Sequence, residues 1–203
     1  MTTTTDVLDE LAGVRADGPV DALRRRRPVT REQLQASFDA LFSPVDDAHL
    51  GLEERALVAA FATRLTADDT TAAWYARHAV ESAGAEQSAL VIAEAVTAAA
   101  SGPYGSYREE GLQAESTDGP RYAPAPEVAS ELGVRLTAAL AHAHLLTFRP
   151  READDAALSA LRDAGWSADG IVALSQLVAF LAFQQRVASG LRVLADTDRQ
   201  DAS

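Results

Sequence analysis

An all-α fold, a multi-helical bundle, is predicted by three features of the sequence. Apolar residues recur three and four positions apart along almost the whole chain. Alanine and leucine, both strong helix formers, dominate those positions. No run alternates apolar and polar residues for long enough to build a sheet. The 203 residues suffice for one domain with a sizeable core, so residues 1–203 are read as a single unit with a helical N-terminal extension over 1–50.

The elements follow in order. Asp6–Leu11 carries Val7, Leu8 and Leu11 on one side of a short helix, and Pro19–Leu23 forms another turn. Four arginines, Arg24–Arg27, run into Pro28. Thr30 with Gln33 reads as a capping box that opens a helix bearing Leu34, Phe38, Leu41 and Phe42, ended by Ser43-Pro44. Leu52–Leu65 is the next helix, with Ala56, Leu57, Ala60, Phe61 and Leu65 as its stripe. Asp68 or Asp69 caps a helix through Trp74, His78 and Glu81 that stops near Gly84, and Ala85–Ala100 follows.

Residues 101–126 break the pattern, with four glycines and four prolines and no helical period. A loop that long inside a compact domain is more often functional than a short one. Helix resumes over Glu127–Phe148 and again over Arg151–Ala164, which stops at Gly165. Ser167 then caps a long final helix to about Leu194.

Composition excludes several functions. The formal net charge of −12 repels nucleic acid and anionic membranes, so neither is an expected partner. There is no cysteine, which removes any disulfide, thiolate nucleophile or redox pair. The N-terminus, Met1-Thr2-Thr3-Thr4-Thr5-Asp6, lacks the basic and apolar segments of a secretory leader. The most apolar run, Ile171–Phe183, reads as too short to span a bilayer, and a cytoplasmic location follows by default.

Few residues stand out chemically. His142 and His144 are two apart and point in different directions on a helix, so no metal site is expected. Arg24–Arg27 reads as a solvated turn, or as a basic strip pairing with an acidic neighbouring subunit. Gly102-Pro103-Tyr104-Gly105-Ser106-Tyr107 is not a phosphate cradle, and its tyrosines either line a pocket or pin the loop.

The C-terminal half carries a resemblance. It reads Leu146-Thr147-Phe148-Arg149-Pro150, then Ala157-Leu158-Ser159-Ala160-Leu161-Arg162-Asp163-Ala164-Gly165-Trp166-Ser167, then Phe180-Leu181-Ala182-Phe183-Gln184-Gln185-Arg186 with Gly190-Leu191. This order resembles the closing third of the peroxidase-related subgroup of the alkylhydroperoxidase (AhpD-like) and carboxymuconolactone decarboxylase (CMD) superfamily. That family places Cys-x-x-Cys-x-x-x-His at a helix start, with a proton-relaying glutamate about a dozen residues earlier.

Here Thr71-Ala72-Ala73-Trp74-Tyr75-Ala76-Arg77-His78 resembles the motif. His78 stands at the family histidine, Thr71 and Trp74 stand at the two cysteines, and Glu54 is the closest carboxylate to the relay position. The departure is double, since both thiols are gone and the glutamate does not align cleanly. The resemblance implies a homo-oligomer.

Two functions stay open. In one, an oligomeric binding or assembly partner works alongside a cysteine-bearing paralogue or a small-molecule ligand. In the other, a cofactor-independent enzyme uses His78, with Glu54, for acid–base work on a small carbonyl or lactone substrate. Against these stand plainer readings: His78 as a packed histidine, Glu54 as a solvated face residue, Trp74 and Tyr75 as core or interface, with Trp74 filling the pocket mouth. Arg186, among Phe180, Phe183, Val187 and Leu191, is expected to bury its stem and pair with Glu54 or another carboxylate of the Leu52–His78 region.

Overall fold

The computed structural model describes residues 6–201. The first five residues, on which the reading of the N-terminus partly rests, lie outside that range. The fold is an all-α multi-helical bundle, 73% helical and without a sheet among the described residues.

Its helices are α1 (Val7–Ala12), α2 (Pro19–Arg25), α3 (Pro28–Phe42), α4 (Leu52–Thr66), α5 (Thr70–Ala83), α6 (Ala85–Ala98), α7 (Pro126–Leu132), α8 (Val134–Phe148), α9 (Asp155–Asp163) and α10 (Ala168–Asp201). Helix α4 is the hub. Its residues Ala56 to Ala62 are all buried, because α5, α6, α8 and α10 pack around it. The main core adds Leu136, Leu140, Leu174, Leu177 and Leu181 from α8 and α10. A second, smaller cluster joins Val7, Leu8 and Leu11 of α1 to Leu34 of α3 and Ala188 of α10.

Several ends follow local chemistry. Asp69, not Asp68, caps α5 by accepting from the Ala72 amide. Ser167 caps α10: its hydroxyl accepts from Gly170 N at 3.1 Å. Gly84 at φ 84° ends α5 as expected.

Other ends correct the sequence reading. Helix α3 starts at Pro28, two residues before Thr30, because a proline at the first helical position is already set to helical φ and lacks an amide that would otherwise be unpaired. The predicted Glu127–Phe148 helix is split at Gly133, which adopts φ 78°. The predicted Arg151–Ala164 helix opens instead with a 3-10 turn over Pro150–Glu152, and α9 begins only after Asp154, whose side chain caps it.

The 101–126 segment has order of its own. A bridge pairs Gly105 with Thr117, and a 3-10 turn spans Glu110–Glu115. Gly119 lies so close to the Tyr104 ring that a Cβ there would sit 2.3 Å from it. Tyr104 N donates to Phe148 O at 2.6 Å. Arg151 stacks on the Tyr107 ring at 3.8 Å and donates to its hydroxyl. Both tyrosines therefore pin the loop to the end of α8.

The arginine run is solvated in part: Arg25, Arg26 and Arg27 are exposed, while Arg24 turns inward. Arg24 is buried and paired with Asp6 and Asp9, and Arg25 pairs with Asp17 and Asp21. Arg31 joins Asp6, Asp9 and Asp21. A folded extension thus neutralises its own charges, which four adjacent letters cannot reveal.

Helix α10 runs past the predicted Leu194. Its stretch Ala168–Thr197 is, by length and composition, apolar enough to cross a membrane, unlike the shorter Ile171–Phe183 run read from the sequence. Its inner face is nevertheless core, through Ile171, Leu174, Leu177, Val178 and Leu181.

Candidate functional site

The N-terminus of α5 is where a reactive thiol would gain acidity from the helix dipole and free amides. Here it is built over. Thr71 is fully buried. The guanidinium of Arg192, from α10, donates to Asp69 Oδ2 at 2.5 Å, Thr70 Oγ1 at 2.7 Å and Thr71 Oγ1 at 3.1 Å. It also donates to Leu11 O at 3.1 Å, tying the end of α1 to the same point.

Three positions on, half-buried Trp74 donates from its indole Nε1 to Glu10 Oε1 at 2.7 Å. Its ring stacks on His78, with centroids 5.4 Å apart and planes at 22°. Phe42 meets the His78 ring edge-on at 5.7 Å. Burial lowers the pKa of His78, against a smaller opposing pull from Glu81. The imidazole is therefore neutral at pH 7 and enclosed by rings.

Glu54 belongs to another arrangement. Its Oε2 accepts from the Gly51 amide at 3.1 Å at the start of α4. Its Oε1 accepts from Arg135 Nε at 2.6 Å. Arg135 also reaches the carbonyls of His49 and Gly165 and lies over the Trp166 ring. No hydrogen bond or ion pair joins Glu54 to His78 among the described residues.

Behind Thr71 and Trp74 lies a buried polar layer. The Tyr75 hydroxyl donates to Gln184 Oε1 at 2.5 Å, and burial pushes its pKa far above the usual range. Gln185 Nε2 donates to Thr63 O, and its Oε1 accepts from Thr66. Arg186, one residue on, is exposed and only meets Ala182 O of its own helix. The expectation that it pairs with Glu54 fails because α10 turns its glutamines, not its arginine, toward the tyrosine and threonines of α4 and α5. The part-buried, paired guanidinium on α10 is instead Arg192.

A separate cavity of about 190 Å³, partly open to solvent, lies between α8, α9 and residues Arg121 and Tyr122 of the loop. Small residues facing one another, Ala138 and Ala141 on α8 with Ala157 and Ala160 on α9, leave the space. His142 and His144 line it. The hollow follows from the facing alanines and not from the spacing of the two histidines. Among the described residues no group of three His, Asp or Glu is placed to hold a metal ion.

The tautomers follow from the partners. Ser175 uses its one hydroxyl proton on Ile171 O, at 2.8 Å, so at the 3.0 Å contact with Ser175 the proton belongs to His142 Nε2. Ser175 is accordingly not a nucleophile activated by His142. His144 Nε2 donates to Ala98 O at 3.3 Å. Burial lowers both pKa values and keeps both rings neutral. His142 Nδ1 is a buried lone pair with no donor.

No protein-family model, curated protein or solved structure matches the chain.

Proposed function

We propose that this chain is a cysteine-free relative of the AhpD-like and CMD superfamily. It acts as a soluble, cytoplasmic binding or assembly partner, forming a homo-oligomer or joining a cysteine-bearing paralogue, and has no thiol peroxidase activity. The observation that carries this reading is the closure of the α5 N-terminus: Arg192, Leu11 O and the Trp74–Glu10 bond occupy the ground where the family's chemistry takes place. The acid–base alternative through His78 is supported less well, because the carboxylate it needs is held by Arg135 at the start of α4.

Assembly has a surface to use. Val172, Phe183 and Leu194 recur every eleven residues on α10, an interval close to three full turns, and all three are exposed. A second copy of the chain covering this stripe would bury apolar area that otherwise faces water.

The experiment is a thiol-coupled hydroperoxide assay run with light scattering. Expected are no turnover above buffer and a mass above the 21.5 kDa chain that falls to it in Phe183→Glu. Turnover by the purified protein would refute the closed-site reading, and a monomer at micromolar concentration would refute the assembly reading.

A further inference from the structure

We propose that the outer face of α10 pairs antiparallel with the same face of a second copy of this chain, with Asp169 against the partner's Arg186 and Val172 against the partner's Phe183. This rests on the assembly reading and gives it one partner, one direction and one register.

Exposure defines the seam. From Asp169 to Arg186 the exposed residues are Asp169, Val172, Gln176, Ala179, Phe183 and Arg186, and every other residue is buried or half-buried. Steps of three and four belong to any outer helix face, but the composition of this one is unusual. A face that borders only water is ordinarily charged. Here the four inner positions carry no charge, and Val172 and Phe183 are 55% and 49% exposed. The flanking residues Ala173, Phe180, Val187, Ser175 and Ala182 are half-buried and uncharged as well. Charge stands only at the two ends, and with opposite sign.

Those ends set the direction. In a parallel pair Asp169 would meet Asp169 and Arg186 would meet Arg186. In the antiparallel pair the first seam position meets the last, the second meets the fifth and the third meets the fourth, which is how such helices interlock. Asp169 then meets the partner's Arg186 at both ends, Val172 lies on the partner's Phe183, and Gln176 lies beside the partner's Ala179, whose methyl leaves it room. Both charges are available. Asp169 is 81% exposed and meets only the half-exposed His49, at 3.7 Å. Arg186 meets no carboxylate among the described residues and donates only to Ala182 O of its own helix.

The register is also fixed. A slip of one heptad sets Arg186 against Gln176 and Val172 against Gly190. A slip the other way sets Phe183 against Gly165, which lies before α10 begins. The apolar centre supplies the affinity, while exposed ion pairs contribute little and select the arrangement. Losing one charge should therefore matter far less than reversing it.

The test uses the full chain, whose lack of cysteine makes introduced thiols specific. Asp169→Cys mixed with Arg186→Cys is expected to give a disulfide-linked dimer under mild oxidant. Neither variant alone should cross-link, because like positions lie about 26 Å apart along the antiparallel pair. Cross-linking of either variant alone, or none in the mixture, would overturn the proposal. In sedimentation, Arg186→Glu is expected to weaken the dimer at least about tenfold by setting like charges at both ends. Adding Asp169→Arg to it should restore wild-type association. An Arg186→Glu chain that associates like wild type, or a charge-swapped chain that stays dissociated, would also overturn the pairing. The wild-type mass separates the two levels. An oligomer insensitive to these changes leaves the assembly reading standing and removes α10 as its seam, whereas a monomer removes both. Co-sedimentation of that monomer with phosphatidylcholine vesicles would assign the apolar face to lipid instead.

Discussion

Trp74 and Glu10 are 64 residues apart in sequence and joined by a 2.7 Å hydrogen bond from indole to carboxylate. The bond fastens α1 over Trp74, the position that the sequence resemblance sets against a second cysteine. Trp74→Phe keeps a ring against His78 and Phe38 and loses the donor, so thermal unfolding should show a loss of about 1 kcal/mol. Trp74→Ala also removes the stack and should cost about 3 kcal/mol. Equal melting curves for wild type and Trp74→Ala would mean that α1 is not held by this contact.

Glu54 is predicted to act in structure, not catalysis. Glu54→Gln weakens the pairing with Arg135 and the cap at Gly51 N together. Both partners are part-exposed, so the loss in chemical denaturation should be modest, about 1 kcal/mol. Glu54→Gln should lower the melting temperature whether or not Arg186 is present, and a double variant with Arg135→Met should show non-additivity. Additive effects would separate Glu54 from Arg135.

Arg186 and Arg192 of α10 should behave oppositely. Arg186→Met should leave the melting curve unchanged, since the side chain faces water and bonds only within its helix. Arg192→Met strips the partners from Asp69 and the carbonyl of Leu11 and should cost about 2 kcal/mol. A larger loss from Arg186→Met than from Arg192→Met would reverse the assigned phase of the helix.

Stability should fall with acid in two stages. Burial depresses the folded pKa of His142 and His144 below the ordinary imidazole value of 6.5, so below pH 6.5 the unfolded chain binds more protons and stability declines. The hydrogen bond from Arg25, helped by that from Asp17 N, holds Asp21 at about 2, and Arg149 holds Glu152 at about 2. Their contribution is present above their unfolded values of 3.8 and 4.5 and is lost as pH falls toward 2. Urea titrations between pH 8 and pH 2 should show both declines. His142→Phe with His144→Phe should shrink the first, leaving the share of His78, whose pKa burial lowers too, and Asp21→Asn should shrink the second, leaving that of Glu152. A first decline unchanged in the double histidine variant would exclude those rings as its source.

Much of the fold was legible because helix periodicity and caps are local. The stripes of α4 and α8, the Asp69 cap and the Gly84 stop need only neighbouring letters. What was not legible depended on partners far away in sequence. Gln184 and Gln185 face inward because Tyr75, Thr63 and Thr66 satisfy them, while Phe183 faces out. Periodicity assigns apolar to the inside, and so set Arg186 wrongly. Arg24 looked solvated because Asp6 and Asp9 meet it only after α1 folds back. His78, Thr71 and Trp74 were placed near one another by helix spacing alone, whereas the Glu54–Arg135 bond spans 81 residues and no local pattern announces it.

The small α1–α3 cluster has its own fate when the molecule breathes. Six buried apolar residues form its centre, two of its three helices have seven residues or fewer, and many of its other ties are ion pairs and part-exposed hydrogen bonds. Such a unit opens at a lower free energy than the α4-centred core. Amide protons of α1 should therefore exchange with deuterium well before those of α4, and the Thr71 amide should exchange in step with α1 and not with the helix that follows it. The extension is thus a shutter with its own opening equilibrium, and added salt, by screening the arginine–aspartate ties, sets how often it lifts.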